Sequence, residues 1–356
     1  MVFRNRKAGL LKLLKMKSRG LRDLRDFRKD LYESWSNSRV IAQRLSNLNY
    51  VFVVYFIVYS IFKWVLPRMS IHLTSESWSN SFSTPPPLPP DDWWMDACAR
   101  WPADERLLVV FIGSVLHALA LYISCGVFVL AERKNFWSAY RLPRQRPDLK
   151  ADTPENVQLN RRAFYEQLLG TFFVVPLFLY LAYPIIASSI TVCDPLPRAR
   201  IWCRDIALMI VGCDTIFYWT HRALHASPLL YRTIHKQHHG FKATTIWASE
   251  YFGIVDLILN VLPGIVPSMV LGSHFAVLML FTVLRQWQTV QSHSGFDLPF
   301  DPFNRGFFHG GSRRHDFHHS HNHGCYSDFL PFWDWLCGTD HAYKAFWTKN
   351  AKLAAY

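Results

Sequence analysis

Eight histidines stand in three compact groups, His221-Arg-Ala-Leu-His225, His235-Lys-Gln-His238-His239 and His315-Asp-Phe-His318-His319. On a helix, residues three and four apart share a face, so each group is expected to present its imidazoles from one side. A neutral imidazole is a borderline-soft nitrogen donor suited to iron, copper or zinc, and eight converging donors exceed what one ion can take. The spacing therefore implies two metal ions. Zinc proteolysis is disfavoured, because no H-E-x-x-H is present and the groups lack the glutamate base that motif supplies. Fourteen of the sixteen histidines lie between positions 221 and 341. His72, His117, His274 and His341 stand alone and are read as ordinary hydrogen-bonded or surface residues.

The elements that must position these groups are membrane helices. The chain of 356 residues is 50% hydrophobic, 16% aromatic and only 18% charged, which excludes a disordered protein. Its net charge of +13 is concentrated in residues 1–46, which hold thirteen Lys/Arg against four Asp/Glu. The rest contains uncharged stretches long enough to cross a bilayer, so the expected acidic partner is a lipid headgroup and not nucleic acid. Leucines at roughly helical spacing among the basic residues of 1–46 are read either as an amphipathic helix on an anionic leaflet or as a solvated basic tail. Seven cysteines are scattered singly, with no C-x-x-C pair, which excludes a disulfide-dense secreted miniprotein. The first apolar run follows the basic segment with no small-residue cleavage site and is expected to remain in the protein.

Apolar runs at 48–66, 107–131, 168–193 and 206–220 read as transmembrane helices. Pro176 and Pro184 should kink the third, and the fourth carries Asp214. A fifth apolar region, 254–284, contains Asp256, Asn260, Pro263, Pro267 and His274 and reads as a helical hairpin dipping into the membrane, or a short span pair. Lys/Arg counts of thirteen in 1–46, three in 67–106, eight in 132–167 and three in 194–205 alternate as four spans with a cytosolic N-terminus require. The histidine groups then lie on the cytosolic face. The expected fold is an all-α integral membrane protein with about four transmembrane helices, a re-entrant or interfacial hairpin and a cytosolic histidine-rich cap holding a di-metal site. Its divisions are a basic segment 1–46, spans one to three with their loops at 47–204, a catalytic domain at 205–340 and a tail at 341–356. The proline-rich loop 67–106 reads as a lumenal or extracellular spacer.

The three groups, in order, resemble the histidine boxes of the fatty acid hydroxylase/sterol desaturase superfamily of membrane di-iron enzymes. So do Asp214-x-x-x-Tyr218-Trp219-x-His221-Arg222-x-x-His225, His293-Ser294-Gly295-Phe296-Asp297-Leu298-Pro299 and Trp333-Asp334-x-x-x-Gly338-Thr339-Asp340. The resemblance covers roughly residues 205 to 340 and leans toward C-4 methylsterol oxidases and cholesterol 25-hydroxylase-like members. It implies that the eight box histidines bind two irons, and that His293 is a ninth ligand. Two departures stand out: Gly253 occupies the place of a histidine that many members have after an E-Y pair, and Cys325 replaces the asparagine of a G-N-Y segment. His321 and His323, with His309 before the last box, are candidates for the missing nitrogen. Asp214, seven residues before His221, is a candidate to orient an imidazole, and Glu250 and Asp316 are further candidates for the shell around the ligands.

The resemblance implies an O2-dependent, iron-dependent monooxygenase that hydroxylates a lipid C–H bond, most readily that of a sterol. Alternatives are a fatty acyl or sphingoid-base hydroxylase, a sterol desaturase, or a metal-handling or regulatory membrane protein. No catalytic residue is assigned beyond the metal ligands. Nothing in the chain resembles a haem domain or a G-x-G-x-x-G nucleotide site, so electrons from NAD(P)H are expected through external cytochrome b5 and its reductase. The implied setting is the endoplasmic reticulum membrane, with the chain passing several times and the N-terminus and histidine boxes in the cytosol.

Overall fold

The computed structural model describes residues 92–143, 153–304 and 311–350, all within the compact unit Lys63–Tyr356. The basic segment 1–46, the expected span 48–66, His72 and His309 lie outside the described residues. The described residues are helical, with isolated backbone bridges and no strand. Short α1 (Trp93–Ala99) is capped by the Asp92 carboxylate, which accepts the Trp94 and Met95 amides, and α2 (Glu105–Arg133) by Asp104, which accepts the Leu107 amide at 2.9 Å. The long α3 (Pro154–Ala187) starts on a Thr153 cap with proline in its first turn and widens at Gly170–Val174. Next come α4 (Ala199–Ala226), α5 (Ile254–Leu271) and α6 (Phe275–His293), then α7 (Ser312–His321), α8 (Phe332–Cys337) and α9 (His341–Lys349).

Among the described residues, α2, α3 and α5 are long and apolar enough to cross a membrane. Phe111, Val115, Leu119 and Ile123 on α2, with Leu169, Phe173, Leu177 and Leu181 on α3, are exposed large apolar side chains at helical spacing. Such faces suit hydrocarbon and not water. The run at 107–131 falls inside α2. Of the run at 168–193, the part up to Ala187 is the second half of α3, which the stretch from Pro154 begins and continues through the widened turn, and 188–193 lie beyond its end. The run at 206–220 lies within the longer α4, whose first two turns add Arg200, Arg204 and Asp205, and α4 is not among the helices long and apolar enough to cross a membrane.

The region 254–284 forms two helices joined at Gly272, whose φ of 61° is the left-handed conformation glycine adopts without strain. The tip of this pair meets the segment after α3: the Phe275 amide donates to the Thr191 carbonyl at 2.7 Å, and His274 Nε2 lies 2.9 Å from the Asp194 carbonyl. The hairpin therefore runs the full depth of the bundle. At the same end, Cys98 is joined to Cys193 by a disulfide, a pairing the scattered cysteines did not reveal. Trp94 Nε1 donates to the Val192 carbonyl at 2.7 Å beside it.

Helix α2 packs along α6, and α4 along α5. At the second contact Gly212 admits Pro267 so closely that a Cβ would lie 3.0 Å from the proline ring. The core toward the histidine end unites Leu121, Cys125 and Phe128 of α2 with Ile246, Val290, Phe296 and Leu298. Burying an aromatic side chain such as Phe128 is worth about 1.5–3 kcal/mol, enough to seat α2 against the end of α6 that carries His293.

Candidate metal centre

The last two turns of α4 carry His221 and His225; a widened turn ending at His235 leads into His238 and His239; α6 ends on His293; α7 carries His315, His318 and His319. All nine converge in two groups. One contains His221, His225, His235, His239 and His318, and the other His238, His293, His315 and His319. In each group the candidate ligand atoms lie within 4.8 Å of one another. The pairs four residues apart, 221/225, 235/239 and 315/319, stay together. His238 and His318, one residue before the second member of their pairs, cross to the opposite group. The expectation that each box offers a single face is corrected accordingly: adjacent histidines point about 100° apart on a helix and reach different centres.

The ring contacts identify what each group can hold. His239 Nε2 lies 3.0 Å from His225 Nε2, 3.1 Å from His235 Nε2 and 3.1 Å from His318 Nε2. In the second group His315 Nε2 lies 2.8 Å from His293 Nε2 and 3.1 Å from His319 Nε2. Several Nδ1 atoms face acceptors instead: His221 the Tyr326 carbonyl (3.0 Å), His318 that of Gly324 (2.7 Å), His319 that of Phe241 (2.8 Å) and His293 that of Thr289 (2.7 Å). An Nδ1–H donating to a carbonyl leaves Nε2 as a bare lone pair. Lone pairs that converge without enough protons to share between them fit a cation at the centre of each group.

Burial, reinforced by the neighbouring rings, holds His221, His238, His239, His315, His318 and His319 well below the ordinary histidine range. Burial lowers His293 to about 4. These rings are neutral near pH 7 and offer lone pairs without proton competition.

The shell around the ligands differs from expectation. His235 Nδ1 lies 2.9 Å from Asp256 Oδ2, a fully buried carboxylate in the first turn of α5. The sequence signal was there, an acidic residue in an apolar helix, but its partner is 21 residues away. Asp214 does not touch an imidazole; its Oδ1 accepts the Asp328 and Leu330 amides at 3.0 and 3.1 Å. Asp334 accepts the Tyr326 and Ser327 amides at 2.9 and 3.0 Å. The two carboxylates thus fasten the 324–330 loop, whose carbonyls orient His221 and His318. Glu250 pairs with His117 and Gln286, and Asp316 accepts from Thr244 Oγ1 at 2.8 Å, tying α7 to the segment after His239.

His321 and His323 are exposed and outside both groups; the His321 ring stacks on Phe317 at 4.1 Å. At Gly253 a Cβ would meet Gln237 Oε1 at 3.6 Å, ordinary contact. Gly324 has a φ of 72°, and a Cβ there would run into the Thr339 carbonyl. Cys325 follows at φ 54°, also left-handed.

An apolar cavity enclosed by α2, α3, α5 and α6 adjoins this centre. It shares Phe252, Asn260 and Thr289 with a smaller cavity lined by His221, His235, His238, His293 and His315.

The fatty acid hydroxylase family model matches residues 206–339. The chain is 32% identical over 239 residues to methylsterol monooxygenase 2-2 of Arabidopsis thaliana, covering 65% of this chain and 86% of that protein. It is 29% identical over 258 residues to methylsterol monooxygenase erg25A of Aspergillus fumigatus, covering 69% and 82%. It is also 30% identical over 250 residues to very-long-chain aldehyde decarbonylase GL1-11 of Oryza sativa, covering 67% and 88%. No solved structure matches. With its histidine groups inside the matched segment and relatives that align along most of their length, the chain belongs to the fatty acid hydroxylase family.

Proposed function

We propose that this protein is an O2-dependent di-iron monooxygenase of the membrane that hydroxylates a C–H bond of a lipid, a sterol before others. The observation that carries the reading is the adjacency of two convergent imidazole groups to an apolar cavity among the span helices. The five nitrogens of His221, His225, His235, His239 and His318 would hold one iron and the four of His238, His293, His315 and His319 the other. Iron so held would supply the chemistry that reduces dioxygen and takes a hydrogen atom from an unactivated C–H bond.

The protein's own residues do the rest. Carbonyls of Tyr326, Gly324, Phe241 and Thr289 hold Nδ1–H groups and aim the opposite nitrogens inward. Phe252 stacks on His238 with ring centroids 4.6 Å apart and lines both cavities, an apolar wall that keeps water from the path between lipid and metals.

Electrons come from an external donor, cytochrome b5 with its NAD(P)H-dependent reductase. A surface cleft lined by Lys236 and Lys242 reaches His239 and His319 and suits an acidic partner. The setting is the endoplasmic reticulum membrane with the histidines on the cytosolic side. The Cys98–Cys193 disulfide supports that orientation, since such bonds persist in oxidising compartments and this one lies at the end of the bundle opposite the histidines. The division into segments 1–46, 47–204, 205–340 and 341–356 stands as part of the same proposal.

A second reading, oxidation of acyl or sphingoid chains, is favoured by the likeness to very-long-chain aldehyde decarbonylases. The deciding experiment compares lipids from cells expressing the intact protein or the His235→Ala/His315→Ala double variant under labelled dioxygen. Label on a sterol that vanishes in the double variant is expected. Label on acyl or sphingoid chains moves the assignment to the second reading, and no labelled lipid with iron and electron donors present overturns both.

A further inference from the structure

The apolar cavity contains one polar corner that the metal centre does not use. His117, in the middle of α2, places Nε2 3.0 Å from Glu250 Oε1, and Gln286 of α6 donates to the same oxygen at 2.7 Å. All three side chains are buried or nearly so, and all three line the cavity. A carboxylate facing Nε2 places a proton on that nitrogen, and the tautomer that carries its proton there alone has a lone pair at Nδ1. His117 Nδ1 is buried and has no hydrogen-bond partner. Leaving buried polar atoms unmade is costly, and the rest of the lining is largely apolar.

We propose that His117 Nδ1 is the acceptor for a hydroxyl of the bound lipid, so that the cavity selects an amphipathic alcohol, a large apolar body carrying one O–H. The proposal deepens the substrate reading above and rests on it only for the choice of body. An alcohol carries the O–H that an acceptor at His117 Nδ1 takes. An ether or ester oxygen has no proton to give to Nδ1. A hydroxysterol and a long-chain alcohol share the required chemistry.

The test is equilibrium binding to the purified full chain in detergent, with radiolabelled probes: a 3-hydroxysterol and its 3-methyl ether, and a long-chain primary alcohol and its methyl ether. The intact protein should bind the alcohol of the accepted pair about tenfold more tightly than its ether, the factor one buried hydrogen bond is worth. His117→Gln retains an N–H at the Nε2 position for Glu250 but has no acceptor at the Nδ1 position, and should bring alcohol and ether within about twofold, while His117→Asn keeps a polar atom near Nδ1 and should keep the preference. Melting temperatures of both variants check that they fold. Equal binding of alcohol and ether by the intact protein, or a preference that survives in folded His117→Gln, overturns the proposal. A preference confined to the long-chain pair upholds the hydroxyl site and removes the sterol reading; sterol binding without preference does the reverse.

Discussion

His235 Nδ1 and Asp256 Oδ2 lie 2.9 Å apart, both buried, joining the second histidine box to a helix that contributes no histidine to either group. A carboxylate behind a ligating imidazole fixes its orientation and raises its basicity. Asp256→Asn should therefore lower iron affinity about 10–100-fold. Iron retained after dialysis against graded chelator checks it; retention equal to that of the intact protein would sink this role for Asp256.

The interleaving of adjacent histidines predicts an unusual stoichiometry. His239→Ala/His318→Ala removes two ligands from one group and should leave about one iron per chain. His238→Ala/His239→Ala removes one from each group and should weaken both sites. Elemental analysis of the purified variants distinguishes them, and equal iron in the two doubles would contradict the assignment.

Cys325 adopts the left-handed backbone conformation. Asparagine tolerates positive φ better than other side chains, whereas a β-branched residue there is strained by about 1–2 kcal/mol or more. Cys325→Asn should leave the melting temperature equal or higher, and Cys325→Val should lower it by several degrees. A Val variant as stable as the Asn variant would show that the backbone conformation does not constrain this position.

Burial keeps the folded values of most ligand histidines below those of the unfolded chain, near 6.5. Between the folded and unfolded values the unfolded chain binds more protons, so the stability of metal-stripped protein is fully present above about pH 6.5 and is lost as pH falls below it, the His293 share down to about 4. Melting temperatures at pH 7.5 and 5.5 should fall in that order, and a higher value at pH 5.5 would refute buried neutral rings.

The Cys98–Cys193 bridge closes a loop of 95 residues at the end of the bundle away from the histidines. Cys98→Ser should cost about 2–5 kcal/mol of stability. Peptide mapping without reductant should recover the linked pair from the native protein; finding both thiols free would remove the bridge and its support for the orientation.

The sequence by itself determined the chemistry of the donors and the family resemblance. Imidazoles at spacings of three and four are a local pattern that survives any packing, and the apolar runs that became α2 and α5 depend only on composition. Tertiary structure decided the partition. Whether His238 joins His239 or His293 depends on how α6 and α7 meet the turn after α4, and no local period contains that. The same holds for the supports: Asp256 lies 21 residues from its histidine, and the carbonyls of Phe241, Thr289, Gly324 and Tyr326 belong to groups every residue carries, so no side-chain type announces them. Asp214 was legible as a functional carboxylate but not as the anchor of a loop 114 residues away, and His321, three residues past His318, turned outward because the ring packs on Phe317 at the end of α7. Spacing along one helix fixes which side chains share a face; only the packing of several helices decides which faces meet.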